Sequence, residues 1–312
     1  MAQKFRRKFQ KEESLSVAEA FDRFIKDKRA AGLTEKTLTT YRAHFQAVCR
    51  FKSADGPMIQ VTRADLSDLI SDMAETGLSR NSIRSYTATL KSFFSWAREH
   101  ELTDVVVPLF KGVETVPETY TAAELQRLLR HPSRGCSWAE MRNWCIVCLL
   151  VNNGIRASTV RAIKIGDVDL DNSVIVLRHM KSGRLQSIPL GPEIIKALEE
   201  YLAEREGDPD DYLFCDVSGR QMSEVCLHSA LERYNQSRGV KKTGIHKYRH
   251  TFARMYLVDC GGDSLKLQRL LGHSTLEMTK RYARIFDRDL VDDFQNHSPL
   301  EKIKKGRPEG RR

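Results

Sequence analysis

The sequence has no apolar run long enough to cross a membrane. Its longest, from Trp144 to Val151, falls well short of the ~18 residues that suggest a membrane span. No apolar region follows the basic start of the chain, so we expect no secretory signal peptide. Seven cysteines, an odd number scattered through a chain without an export signal, predict a reducing cytoplasmic setting and no disulfide framework.

Few cysteines or histidines in the sequence are spaced as metal ligands usually are. Cys145-Ile146-Val147-Cys148 has the CxxC spacing, but it lies inside an apolar stretch with no second cysteine or histidine pair nearby. We interpret these cysteines as small buried hydrophobes rather than as a metal or redox site, and the sequence predicts no metal.

Positive charge, in contrast, is in excess. Lys and Arg number 51 against 41 Asp and Glu, which gives a formal net charge of +10 and a pI near 9.3. Such an excess favours nucleic acid or an anionic membrane face as a partner. Residues 1–13 and 299–312 are basic and poor in apolar residues, which predicts flexible tails. These tails either attract DNA phosphates or are solvated ends that contact nothing.

A length of 312 residues suggests two domains, and residues 14–102 predict the first as a bundle of four helices. A capping box at Ser16 opens the first helix, and apolar residues recur at helical spacing after it. The side chains expected to point inward include Phe21, Phe24, Leu38, Tyr41, Phe45, Val48, Ile83, Tyr86, Leu90, Phe94 and Ala97.

The bundle contains a sequence pattern that occurs twice. The pattern G-L-[ST]-x-x-[ST]-[LI]-x-x-Y occurs at residues 32–41 and again at residues 77–86, and each copy predicts a helix start. Two such starts suit phosphate binding, although two ordinary caps would read the same. In the fourth helix Arg84, Lys91 and Arg98 recur every seventh residue. This basic stripe either lies along a DNA backbone or is merely solvated.

Residues 103–118 hold two prolines and a glycine without periodicity, and they predict a linker. Helices dominate the second domain, residues 119–298, which opens on a Thr-x-x-Glu capping box. Residues 173–177 and 187–190 predict two strands around a turn at residues 181–184. The predicted fold class is therefore mainly α with a small β-hairpin or sheet.

Candidate chemistry concentrates late in the chain. His246-x-x-Arg249 places two residues on one face of a helix. Gly272 then ends a helix and leaves His273 at its exit, and Tyr282 follows among basic residues. Each of these features alone is weak, because HxxR occurs often by chance and a tyrosine among basic residues is usually a surface tyrosine.

The order of the features carries more information. Arg156 follows Asn153-Gly154-Ile155, Lys181 lies in the hairpin turn, and the HxxR, Gly-His and Tyr elements come after them. This series resembles the tyrosine recombinase (phage integrase) family, whose signature is Arg, Lys, HxxR, His or Trp, and a nucleophilic Tyr. The resemblance covers about residues 14–298 and is most specific over residues 246–282.

The resemblance implies a SAM-like core-binding domain followed by an α+β catalytic domain of the DNA breaking-rejoining type. It implies a site-specific recombinase that needs no cofactor, acts on double-stranded DNA as a tetramer on synapsed sites, and resides in the cytoplasm with the nucleoid. Tyr282 would attack a scissile phosphate and form a 3′-phosphotyrosyl bond, and Lys181 would protonate the leaving 5′-oxygen. The family's catalytic positions fall on Arg156, Lys181, His246, Arg249, His273 and Tyr282.

The match has one departure and leaves alternatives open. Many members carry an acidic residue three positions after the first Arg, where this chain has Thr159, so the support for Arg156 must come from elsewhere. Arg184 shares the hairpin turn, but counting back from Pro189-Leu190 favours Lys181. A type IB topoisomerase or a non-catalytic DNA-binding protein are rival functions. Within recombination we favour a mobile-element integrase over Xer-like resolution of replicon dimers.

Overall fold

The computed structural model describes residues 15–112, 117–177 and 186–272. It divides the chain into two units, Met1–Thr115 and Val116–Arg312. The predictions for both tails, for the turn at residues 181–184, for His273 and for Tyr282 lie outside the described residues. In the part that is described, no helix is both long enough and apolar enough to span a membrane.

The N-terminal unit contains the four expected helices. The first begins with a complete capping box, in which the Glu19 amide donates to Ser16 Oγ at 3.2 Å and the Ser16 amide donates to the Glu19 carboxylate at 2.9 Å. The same arrangement between Thr62 and Asp65 opens the third helix. The helices are α1 (Val17–Ala30), α2 (Glu35–Val48), α3 (Arg63–Glu75) and α4 (Arg80–Glu99), with a short 3₁₀ turn at Met58–Gln60.

Aromatic rings form the centre of this unit. Phe21 stacks on Phe45 with ring centroids 3.8 Å apart, and Phe93 meets Phe21 edge to face at 5.3 Å. Phe93 is fully buried, although the predicted inward face of α4 did not include it. Helix α4 buries a wider face than one stripe because α1, α2 and α3 all pack against it.

The two copies of the repeated pattern, residues 32–41 and 77–86, form two helix starts with the same capping geometry. Gly32 (φ 82°) and Gly77 (φ 76°) take the left-handed conformation just before α2 and α4. Thr34 Oγ1 accepts from the third amide of α2, and Ser79 Oγ accepts from the equivalent amide of α4.

The segment after α4 remains attached to the N-terminal unit. Val107 is buried there, and Val105 and Phe110 pack against the same core. The Arg80 guanidinium lies over the Phe110 ring at 5.6 Å from its centroid. The chain therefore leaves the first unit only after these contacts, and the division between the units falls at residues 115 and 116.

The C-terminal unit surrounds one buried helix. Its central helix, α6, is packed by α8, α9 and α10, and it buries Cys145 completely. Burial raises the pKa of the Cys145 thiol, and that of Cys148 to about 12, so both behave as small hydrophobes. The helices are α5 (Ala122–Leu128), α6 (Trp138–Asn153), α7 (Ala157–Ala162), α8 (Pro192–Arg205), α9 (Glu224–Ser237), α10 (Ile245–Arg254) and α11 (Ser264–Leu271).

A small antiparallel sheet lies beside these helices, in the order β1-β2-β3. The two predicted hairpin strands are present as β2 (Val174–Leu177) and β3 (Gln186–Pro189), with Ile175 opposite Ile188. Strand β1 (Val168–Asp169) pairs with the other edge of β2 and was not predicted, since two residues are too few to show an alternating pattern. The observed fold is mainly α with a three-stranded sheet, as expected.

Candidate active site

Three of the six predicted catalytic residues lie in the described part of the chain. Arg156 is the N-cap residue of α7, and His246 and Arg249 lie on α10. Lys181, His273 and Tyr282 lie outside the described residues.

Arg249 connects the ends of two helices. Its side chain is almost fully buried, with the residue 5% exposed. Nη1 donates to the carbonyl oxygen of Gly154 at 2.9 Å, and Nη2 donates to that of Leu271 at 2.9 Å. These carbonyls end α6 and α11, where backbone acceptors lack partners within the helix and carry partial negative charge. The two bonds therefore fix the position of a buried cation through the dipoles of two helix ends.

Arg156 is held beside the same helix end. Its Nη2 donates to the carbonyl oxygen of Gly272 at 3.2 Å, one residue after the carbonyl that Arg249 uses. The two guanidiniums thus bond to consecutive carbonyls at the C-terminal end of α11, which directly precede His273 in the sequence. Gly272 takes the left-handed conformation that ends α11, as predicted. This carbonyl is the support for Arg156 that the sequence could not identify.

A glycine is required at residue 154 for two separate reasons. Gly154 has φ 58°, a left-handed conformation that side-chain-bearing residues rarely adopt. A Cβ there would also lie 2.5 Å from Cδ1 of Phe252 on α10. Close packing of α6 on α10 at this point places the Gly154 carbonyl within reach of Arg249.

His246 is exposed at the start of α10, one turn before Arg249. Desolvation of its ring lowers the pKa, and the positive charges of Arg249, His228 and Arg156 lower it further, while Glu224 acts in the opposite sense. Both effects favour the neutral form of the ring, which is the form that can accept a proton. His228, on α9, was missed by the sequence reasoning because a lone histidine within a helix belongs to no motif.

Tyr248 is a buried residue of the core. It is fully buried, its hydroxyl donates to Oδ1 of Asn235 at 2.7 Å, and its ring lies 4.6 Å from that of Tyr120. Asn235 in turn donates to the Tyr120 hydroxyl at 2.9 Å. Burial raises the pKa of Tyr248, so its hydroxyl stays protonated. This tyrosine fastens α10 to α9 and is unsuited to be a nucleophile.

Two residues of the predicted basic stripe in the N-terminal unit, Lys91 and Arg98, line a groove. Arg84 and Arg98 are exposed and Lys91 is half-buried. A groove of about 500 Å³ is lined by Lys91, Arg98, Arg63 and the segment from Val105 to Leu109. Arg63 adds a third cation to the groove and was not predicted, because it comes from the first residue of another helix, α3.

Comparison with protein families assigns both units. Residues 118–288 match the phage integrase family, and residues 18–101 match the phage integrase N-terminal SAM-like domain. The family match covers more than half of the chain.

Similar curated proteins are tyrosine recombinases. XerA of Thermococcus kodakarensis is 30% identical and aligns over 75% of this chain and 81% of its own length. XerC of Roseiflexus sp. (strain RS-1) is 27% identical over 86% of this chain and 88% of its own.

Solved structures of low identity share the fold. A Tn1549 transposon integrase in complex with a circular intermediate DNA has a TM-score of 0.71 at 21% identity, covering 86% of this chain and 95% of that one. A lambda integrase tetramer bound to a Holliday junction has a TM-score of 0.69 at 19% identity, covering 86% and 77%. From the family match and the recombinase relatives, the chain belongs to the phage integrase family and is a DNA strand-transfer enzyme of site-specific recombination.

Proposed function

We propose that this protein cuts and rejoins double-stranded DNA at specific sites through a 3′-phosphotyrosine intermediate on Tyr282. The observation that carries the proposal is the pairing of Arg156 and Arg249 on the adjacent carbonyls of Gly272 and Leu271. Two guanidiniums bonded to consecutive carbonyls at one helix end can together bind an anion, and a scissile phosphate is such an anion.

The chemistry follows from what a phosphodiester requires. Phosphoryl transfer leaves a protein little to do besides holding the phosphate and offsetting its charge. Arginine suits this task because it keeps its charge at any relevant pH and presents a planar fork of donors. The buried setting of Arg249 strengthens its attraction for developing charge on the phosphate oxygens.

Bond making and bond breaking then balance within the active site. The Tyr282 oxygen forms a bond to phosphorus, and the bond from phosphorus to the 5′-oxygen breaks. Lys181 supplies a proton to that 5′-oxygen, and neutral His246 or His273 takes the proton of the phenol. The phosphotyrosyl bond retains the energy of the phosphodiester, so attack by a 5′-hydroxyl reverses the step without ATP.

Subunit assembly belongs to the same proposal. A neighbour of this fold was solved as a tetramer on a Holliday junction, and another was solved on a circular intermediate DNA. We therefore propose a tetramer on two synapsed sites, associated with the nucleoid, with integration and excision of a mobile element as its role. Xer-like resolution of replicon dimers is the second candidate, favoured by the similarity to XerA and XerC.

A covalent trapping experiment tests the chemistry. Suicide DNA, nicked so that the cleaved end diffuses away, should leave a covalent adduct that mass spectrometry assigns to the peptide containing Tyr282. The Tyr282→Phe variant should bind the same DNA and form no adduct, whereas Tyr256→Phe should behave as the parent. An adduct on another tyrosine would overturn the assignment.

The rival functions give different products. A non-catalytic DNA-binding protein forms no adduct, and a topoisomerase relaxes supercoiled DNA without exchanging strands between duplexes. Two labelled duplexes carrying the recombination site should yield products that join segments of both. An attachment site next to the gene would distinguish the integrase from the Xer-like role.

A further inference from the structure

Asn153, the last residue of α6, bridges that helix to the sheet. Its side chain is buried, with the residue 5% exposed, and Nδ2 donates to the carbonyl oxygen of Pro189 at 2.7 Å. Pro189 is the last residue of β3, an edge strand of the sheet. This bond joins the end of α6 to a strand and does not cap the helix.

The amide is held in one orientation. Oδ1 of Asn153 accepts from Nδ2 of Asn152 at 2.7 Å, so its acceptor and its donor face different partners. Turning the amide over would place oxygen against oxygen at Pro189 and nitrogen against nitrogen at Asn152. The bond to β3 is therefore specific in direction as well as in distance.

This bridge lies next to the arginine pair. The residue after Asn153 is Gly154, whose carbonyl accepts from Arg249 at 2.9 Å. Two consecutive residues thus hold β3 through a side chain and Arg249 through the backbone. In the sequence, the segment that contains Lys181 connects β2 to β3. Strand β3 and Arg249 are therefore both hydrogen-bonded to the C-terminal end of α6.

We infer that Asn153 is a positioning residue, which fixes the β2-β3 hairpin relative to Arg249 so that Lys181 is delivered to the leaving 5′-oxygen. This inference rests on the proposed function for the role of Lys181. The competing explanation is a buried amide that contributes only to stability. The two differ in which chemical step a substitution slows.

A kinetic comparison distinguishes a positioning role of Asn153 from a purely structural one. Asn153→Asp keeps the size of the side chain and replaces the donor to Pro189 by an acceptor. A DNA substrate with a 5′-bridging sulfur has a leaving group that needs no proton. If Asn153 positions the lysine, Asn153→Asp should cleave ordinary DNA ~10- to 100-fold more slowly and the sulfur substrate at nearly the parent rate, as expected for a displaced catalytic group.

The matched control is Asn235→Asp. Asn235 is also a buried amide; it donates to the Lys242 carbonyl at 3.0 Å and has hydrogen bonds with Tyr120 and Tyr248, and none of these partners belongs to the β2-β3 hairpin. Its substitution should change the rates on both substrates by the same factor. Equal slowing on both substrates by Asn153→Asp would overturn the inference, because it would indicate a purely structural role.

Hydrogen exchange tests the bridge without any DNA. In Asn153→Asp, amides of β2 and β3 should exchange faster than in the parent, while those of α8 and α9 keep their protection. Unchanged exchange in the two strands would refute the bridge. Failure of the sulfur substrate to rescue Lys181→Ala would instead show that the proposed general acid is wrong, and the exchange result would then decide the bridge alone.

Discussion

Arg156 and Gly272 are joined by a hydrogen bond across 116 residues of sequence, from Nη2 to the carbonyl oxygen at 3.2 Å. At the position where the family resemblance predicts an acidic residue, this chain has Thr159, whose amide donates to the backbone carbonyl of Arg156. A carbonyl dipole at a helix end orients a guanidinium as a carboxylate would, but it carries only partial negative charge. Arg156 therefore retains more of its positive field for a phosphate than a carboxylate at residue 159 would leave it.

This arrangement depends on the backbone at Gly154. We expect Gly154→Ala to destabilise the protein by about 2–5 kcal/mol, since a left-handed alanine costs about 1–2 kcal/mol and the overlap with Phe252 adds about 1–3 kcal/mol. Denaturant unfolding measures the loss. DNA cleavage should fall as well, because the carbonyl that orients Arg249 is displaced.

Gly135 provides the matched control. It has φ 77°, but a Cβ there would meet nothing within 4 Å. Gly135→Ala should therefore cost only the backbone term of about 1–2 kcal/mol and leave cleavage unchanged. Equal costs at both positions would show that the contact with Phe252 contributes nothing.

Much of the fold was readable in the sequence because its signals are local. Capping boxes at Ser16 and Thr121 mark helix starts, and β-branched residues from Val174 to Val176 mark a strand. Burial of Phe93 was missed because it depends on three helices that surround α4. Packing of Val107 against the first unit was missed for the same reason: the segment has no periodicity of its own.

The site was readable only as an ordered set of residue types. The sequence identifies Arg156 and Arg249, but not the carbonyls of Gly272 and Leu271 that hold them. Backbone acceptors carry no residue signature, so the sequence does not show which carbonyls a given side chain will bond to. The same limit hid the bond from Asn153 to Pro189, whose partner is also a carbonyl.

His131, which is not part of the candidate active site, should make the free energy of unfolding depend on pH. His131 Nε2 lies 2.6 Å from a Glu200 carboxylate oxygen, and Nδ1 lies 2.6 Å from the Pro132 carbonyl oxygen. Both partners only accept, so the ring is best satisfied when both nitrogens are protonated. The bond to Glu200 accordingly raises the pKa of His131 above its ordinary 6.5.

Because the folded-state pKa is raised, this contribution is complete below pH 6.5 and is lost as the pH rises through the folded value. The free energy of unfolding of the parent should therefore decline slightly more over this range than that of His131→Gln. Urea unfolding at several pH values measures both slopes. Glu200→Gln should flatten the slope in the same way, and parallel slopes in all three proteins would contradict the assignment.

The basic stripe predicts a salt dependence of DNA binding. If Arg84, Lys91 and Arg98 contact phosphates, log affinity should fall with log salt by ~0.9 per phosphate neutralised, and replacing all three by Ala should flatten the slope by up to ~2.7. Titrations at several salt concentrations give the slope, and circular dichroism checks that the fold is intact.

A charge-matched control separates contact from net charge. Arg23, Lys26 and Arg50 are exposed cations in the same unit, outside the stripe and its groove. Replacing them by Ala removes the same charge and should change the slope far less. If both triple variants flatten the slope equally, the stripe contributes only general attraction.

Substitutions of Lys181 and of Arg249 should affect cleavage differently when the 5′-bridging oxygen of the DNA is replaced by sulfur. Lys181→Ala should be slow on ordinary DNA and nearly as fast as the parent on DNA with a 5′-bridging sulfur, since that leaving group needs no proton. Arg249→Ala should be slow on both, because losing one preorganised donor to a developing oxyanion costs about 3 kcal/mol whatever group leaves. Its burial between the Gly154 and Leu271 carbonyls makes substitution by Lys a poor replacement, because one ammonium cannot reproduce the planar fork. Single-turnover cleavage rates on the two substrates measure the difference. A Lys181→Ala variant that stays slow on the sulfur substrate would transfer the general-acid role to Arg184 or a histidine.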